Sequence, residues 1–349
     1  MPNIIDYAES VTQSFEEKAL GDVDSLIFST LAYAELYEGT IEDIAGGNLD
    51  TVFSDTMLAK KNRRLLLAAA KNPRFALVRV HSFVNAADEN EQKQFCAMLF
   101  EARDFVYVAY RGTDSTFLGW REDFNLAFIT PIPSQRSGVE YLNAAAGKTA
   151  KPLFVGGHSK GGNIAVYSAI KCNAEVQRRL ERVFTHDGPG FREDMFELPE
   201  YKAIEKRIEK TMPQSALVGM LMHCLKNYRV VRSTGIDVLQ HDPFTWVVEN
   251  GEFALEKELS VAAEVRNSAI NGWINTLSDE ERERFTDALY GAIKATGAKT
   301  TRELAENWPQ KAKAAMQAVA SFDEDTRKIL FESIGAVFTL AIKNIKTQR

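Results

Sequence analysis

One stretch restricts what this chain can fold into more than any other: Lys151-Pro152-Leu153-Phe154-Val155-Gly156-Gly157-His158-Ser159-Lys160-Gly161-Gly162-Asn163-Ile164-Ala165-Val166-Tyr167. A short apolar run ends in Gly-x-Ser-x-Gly. A helical spacing of Ile164, Tyr167, Ile170 and Ala174 begins at once. Strand, tight turn and helix in that order form a nucleophile elbow, which holds a serine hydroxyl at the top of a sheet. The tightness of such a turn accounts for glycine at 157 and 161, where a side chain would meet the neighbouring strand or helix. The leading N–H groups of the helix, starting with Lys160, have no intrahelical acceptor and can face a negative oxygen. An α/β fold carrying a serine hydrolase is the expectation. A structural turn with an incidental serine would explain the five residues but not their flanks. A phosphate loop needs Gly-x-x-x-x-Gly-Lys-Ser/Thr, and the order Ser-Lys-Gly-Gly excludes it.

Charge and cysteine usage narrow the class. A net charge of −6, with both signs mixed along the chain, argues against a nucleic-acid surface. Cys96, Cys172 and Cys224 are odd in number and far apart, so neither a disulfide framework nor a metal spacing is present, and a reducing compartment is expected. The first ten residues lack a signal-peptide pattern. The longest mostly apolar run, 329–342, is interrupted by Glu332 and falls short of the roughly 20 residues of a membrane span. A soluble, cytoplasmic protein follows as the expectation.

Along the chain, residues 11–37 read as mostly helical, with Leu26, Ile27, Leu31, Ala34 and Leu36 as an apolar stripe. Residues 51–70 form a second helical segment ending before Asn72-Pro73, either a lid or plain packing. Strands are predicted over 75–84, 94–102 and 104–111, as an antiparallel meander whose third member is apolar almost throughout and therefore central. After the elbow helix come a strand over 182–187 ending at Gly188-Pro189, a polar helix over 193–206, and strands over 207–212 and 228–234.

The third strand opens into Arg111-Gly112-Thr113-Asp114-Ser115, followed by Trp120-Arg121-Glu122-Asp123 and then by the Gly-His-Ser-Lys-Gly-Gly-Asn elbow. This sequence of motifs resembles the class 3 lipases. The chain is more similar still to a bacterial group of lipase-like α/β-hydrolases with Lys after the serine and a later segment like Gln240-His241-Asp242-Pro243-Phe244. The similarity spans residues 23–248 and implies an α/β-hydrolase fold, a mostly parallel central sheet flanked by helices. It further implies Ser159 as nucleophile, with the backbone N–H groups of Lys160 and Thr113 as the oxyanion hole. Loss of one such donor typically costs about 100- to 1000-fold in rate. The Thr113 hydroxyl is a further candidate there. Lys160 departs from the class 3 lipases, which usually carry an apolar residue; its side chain is expected either in solvent or paired with a carboxylate such as Asp114.

The base must be a histidine within reach of Ser159. Of the five, His158 is expected to turn into the sheet, His81 lies in a strand, and His223 falls in a predicted helix. His186 and His241 remain. The chain order of α/β-hydrolases, serine then acid then histidine, favours His241, as does the resemblance. The acid is less determined, because no Asp or Glu occurs between Thr211 and Val231, where class 3 lipases place theirs. Asp187, one strand earlier, is the choice, with Ser215 as a polar rival and Asp237 and Asp242 as nearer neighbours.

From 255 onward the pattern is helical, with capping boxes at Ser278-Asp279-Glu280-Glu281 and Thr300-Thr301-Arg302-Glu303 and a final amphipathic helix over 323–346. The expected organisation is a hydrolase domain over 1–254, including an N-terminal helical segment over 1–72, and a helical extension over 255–349. The expected activity is hydrolysis of a small carboxylic ester or lipid through an acyl-enzyme, with neither metal nor organic cofactor implied. A thioesterase or a peptidase would use the same residues, and a catalytically silent hydrolase-fold protein serving as a binding or regulatory module is the rival from another class. A homo-oligomer is left open.

Overall fold

A computed structural model describes residues 1–53, 58–114, 116–300, 303–304 and 308–331. The chain divides into two compact units, one of residues 1–86, 95–112 and 133–260, the other of 87–94, 113–132 and the described residues from 261 onward.

The first unit is built on a sheet. Among the described residues its strands are β1 (Gly39–Thr40), β2 (Arg79–Asp88), β3 (Lys93–Glu101), β4 (Val106–Tyr110), β5 (Leu153–His158), β6 (Leu180–His186), β7 (Ile208–Pro213) and β8 (Tyr228–Val231). A short hairpin, β9 (Val248–Glu249) with β10 (Glu252–Phe253), precedes β11 (Leu255–Glu256), which returns to the sheet antiparallel to β8. The sheet order is β1-β2-β3-β4-β5-β6-β7-β8-β11. Strands β3 and β4 pair antiparallel, and β4 through β8 run parallel. Crossover helices join the parallel strands, among them Pro133–Gly147 before β5 and Lys160–Lys171 after it. This is the α/β-hydrolase architecture.

Strand β4 shows why it is central. All five residues are buried, and they alternate between two cores. Tyr107 and Ala109 join the core beneath the N-terminal helices, while Val106, Val108 and Tyr110 join the core beneath the helices around β5. A strand covered on both faces reads as a nearly continuous apolar run.

Several boundaries differ from the sequence expectation, each for a local reason. Residues 11–21 are not helical; the Ile4–Ser10 and Asp22–Leu31 helices flank them. Their carbonyls are satisfied instead by Arg74, whose Nη1 donates to the carbonyls of Gln13 (2.9 Å), Ser14 (2.8 Å) and Lys18 (3.0 Å). The first long strand starts at Arg79, because the N–H groups of Phe75 and Ala76 close a turn on the Asn72 carbonyl, 2.9 Å away. The polar helix over 193–206 breaks into short turns around Pro199, which starts a helix of its own at Pro199–Ile204. His223 is not helical; it forms an isolated antiparallel bridge with Phe191. The helical segment over 51–70 becomes Ala59–Lys71, with Leu65 and Leu66 fully buried in the core; residues 54–57 lie outside the described ones.

In the second unit, Phe117–Asn125 keeps company with Val261–Thr276, Asp279–Lys294 and Trp308–Ser321. Phe285 meets Phe124 and Trp273 edge to face, with centroids 6.3 and 5.8 Å apart. Ser278 and Glu281 form the reciprocal cap that opens Asp279–Lys294. Glu303 N–H donates to Thr300 Oγ1 at 3.2 Å, while residues 301 and 302 are outside the described set. Residues 324–331 are helical; the remainder of the expected final helix is likewise outside it. Among the described residues, no helix is long and apolar enough to cross a membrane.

Candidate active site

Parallel pairing of β5 with β6 places His158 beside His186. The next residue of each strand, Ser159 and Asp187, therefore leaves the sheet at the same edge. Both have left-handed backbone, φ +59° and +49°, a conformation that non-glycine residues adopt at some cost and keep only where the surroundings enforce it. The enforcement is visible. Ser159 N–H donates to the His186 carbonyl at 2.9 Å, and Asp187 N–H to the Thr211 carbonyl at 2.7 Å. At the elbow, a Cβ on Gly157 would sit 2.3 Å from the Gly161 carbonyl carbon, and one on Gly161 would sit 2.1 Å from the Tyr110 oxygen. Only glycine lets the elbow helix approach β4 and β5 this closely.

The remaining partner arrives from beyond β8. His241 ends a 3-10 turn, Asp237–His241, and its neighbours are held on either side. Trp246 Nε1 donates to the Gln240 carbonyl at 2.8 Å, and Ser215 N–H donates to Gln240 Oε1 at 2.8 Å. Asp242 caps the next turn through Phe244 N–H at 3.0 Å and pairs with Lys61 at 2.5 Å. His241 Nδ1 then lies 2.6 Å from Asp187 Oδ2. The Asp187 side chain is buried, and its second oxygen accepts from Gly219 N–H at 3.0 Å. A carboxylate only accepts, so Nδ1 of His241 carries the proton and Nε2 presents a lone pair. Ser215, the rival orienter, supports Gln240 rather than the imidazole. Ser159 Oγ makes no hydrogen bond among the described residues.

His158 does not turn into the sheet. Its Nε2 donates to the His241 carbonyl at 2.9 Å, and its Nδ1 accepts from Tyr33 hydroxyl at 3.1 Å. The two imidazoles stack with centroids 4.6 Å apart. Burial, reinforced by nearby His241, holds His158 well below the ordinary histidine range. It is a neutral brace. His186 is a second one: Ser25 Oγ (2.8 Å) and Thr211 Oγ1 (2.7 Å) occupy its two nitrogens, and burial pushes it down to about 4.

Lys160 begins the elbow helix, and its side chain is buried at 1% exposure, which removes the solvent alternative. Asp114, the other suggested partner, accepts from Gln94 Nε2 at 3.0 Å and from Thr116 N–H at 2.8 Å. Gly112 packs on the elbow, where a Cβ would stand 3.1 Å from Ser159 Cβ and 2.6 Å from the His158 carbonyl. The Thr113 hydroxyl donates to Asp123 Oδ2 at 2.6 Å, so it is already engaged.

Sequence reasoning missed Tyr33, Trp246 and Gly219, none of which carries a motif, and it gave Gln240 no role beyond its place in the segment around His241. Their roles arise from contacts between distant segments.

A model of the family described as Mbeg1-like matches residues 69–291 of this chain. The crystal structure of M37 lipase is similar at 14% identity and a TM-score of 0.37, covering 58% of this chain and 69% of that one. No curated protein matches.

Proposed function

We propose that this chain, which belongs to the Mbeg1-like family, is a serine hydrolase of carboxylic esters. The observation that carries the reading is the 2.6 Å hydrogen bond from His241 Nδ1 to buried Asp187, which leaves Nε2 as a base at the sheet edge where Ser159 emerges. In the proposed reaction Ser159 Oγ attacks the acyl carbonyl while His241 Nε2 takes its proton. The oxyanion is met by Lys160 N–H at the helix start. Thr113, the residue after Gly112, stays the candidate for the second N–H donor on the motif alone. Collapse of the intermediate returns the proton from His241 to the departing alkoxide and leaves an acyl ester on Ser159. Water, deprotonated by the same imidazole, then releases the acid.

Ile236, Val238 and Leu239, 79%, 50% and 67% exposed, lie in the segment before His241, with Gln240 between. Apolar side chains so open beside a base support a substrate with an apolar acyl portion.

Incubation with a fluorophosphonate probe tests the reading. Wild type is expected to label, and Ser159→Ala and His241→Ala are not. An unlabelled wild type would favour the alternative, a hydrolase-fold binding protein without chemistry.

A further inference from the structure

Lys210 lies in the middle of β7, opposite Thr185 of β6 and Tyr228 of β8, and is only 2% exposed. Its ammonium donates to two backbone carbonyls, Gly188 at 2.9 Å and Gly219 at 2.6 Å. Among the described residues it makes no salt bridge. Burying a cation without a carboxylate is costly, and an apolar residue of similar length would fill the same space without that penalty. The position of the two carbonyls gives a reason for the charge. Gly188 follows Asp187 in the chain, and Gly219 is the residue whose N–H donates to Asp187 Oδ1 at 3.0 Å. The two segments touch closely: a Cβ on Gly219 would stand 2.4 Å from that oxygen. From the other side, Asn163 of the elbow helix donates to the carbonyls of Pro189 (3.2 Å) and Gly190 (2.8 Å). The turn after Asp187 is thus gripped by the elbow helix and by Lys210 together.

We propose that Lys210 is a positioning residue for the acid, its ammonium clamping the turn after Asp187 to Gly219 and so aiming Oδ2 at His241. Three N–H donors at the end of a four-carbon stem serve both carbonyls at once. The proposal rests on the reading of Asp187, His241 and Ser159 as a hydrolytic site.

The test compares wild type with Lys210→Met, which removes donors and charge, and Lys210→Gln, which removes the charge and keeps amide donors on a shorter stem. The first readout is the His241 Nδ1–H proton signal followed by NMR without substrate. Loss of the clamp lengthens the hydrogen bond to Asp187, so in Lys210→Met this signal is expected to move upfield and to exchange faster with water. Lys210→Gln should shift it less, and it serves as the variant of record where the methionine does not fold. The second readout is the rate of fluorophosphonate labelling, expected to fall at least about 10-fold. A purely structural lysine would lower the melting temperature and leave the Nδ1–H signal and the labelling rate at their wild-type values, and that result overturns the proposal. Failure of wild type to label overturns the hydrolase reading instead, while the His241 Nδ1–H signal still decides the clamp.

Discussion

His158 and His241 stack at a centroid separation of 4.6 Å, and the first donates its Nε2 proton to the backbone carbonyl of the second. The residue preceding the candidate nucleophile thereby fixes the backbone of the candidate base. Tyr33 fixes His158 in turn, at 3.1 Å. His158→Ala removes this brace without touching Ser159 Oγ or His241 Nε2. A base displaced by about 1 Å can lose on the order of 100-fold in rate. Ester hydrolysis by His158→Ala should accordingly fall by about that factor in kcat/KM while Ser159 still labels slowly. Rates equal to wild type would show that the stack is incidental.

Asp187→Asn is expected to be more severe. The amide preserves shape but can offer its NH2 to Nδ1, which leaves Nε2 protonated and useless as a base. A loss of about 10⁴-fold in kcat is the scale for a wrong tautomer, with a circular dichroism spectrum like that of wild type. Retention of more than a tenth of the activity would mean that another group orients His241.

Stability offers a test away from the site. Asp24 and Arg74 form a pair at 2.7 Å with side-chain exposures of 1% and 0%, and Arg74 also donates to the carbonyls of Gln13, Ser14 and Lys18. Arg74→Met strands a buried carboxylate, so unfolding free energy should drop by about 3–5 kcal/mol. Urea denaturation measures it, and a loss below about 1 kcal/mol would place the pair among the weakly contributing surface bridges.

The buried histidines make stability depend on pH. His186 is held down to about 4, and His158 also lies well below the ordinary value, in both cases chiefly through burial. The unfolded chain protonates these rings near pH 6.5 while the folded one does not. Stability contributed by the neutral rings is complete above about pH 6.5 and declines as pH falls toward 4, at about 1.4 kcal/mol per pH unit for each ring. Denaturation midpoints between pH 7.5 and 5 should fall accordingly, less steeply in His186→Gln. Identical slopes for the two proteins would remove His186 from the account.

Much of the fold was legible along the chain because strands and helices announce themselves locally. The nearly unbroken apolar run of Val106–Tyr110 and the glycine spacing around Ser159 are properties of neighbouring residues, and they sufficed to place the central strand and the elbow. Where boundaries moved, a distant side chain had intervened, as when Arg74 took the carbonyls that a helix over residues 13–18 would have used.

By itself, then, the sequence determined the strand-turn-helix at Ser159, the parallel architecture around it, and a chain order in which His241 follows Asp187. Tertiary structure decided that these two meet at 2.6 Å. It also turned His158 toward His241 and set Lys210 beneath the acid's turn. The physical reason is range. Backbone sterics and hydrophobic periodicity act over a few residues and can be read in order. A hydrogen bond between positions 54 residues apart depends on how parallel strands bring their ends to one edge, and no local pattern encodes that.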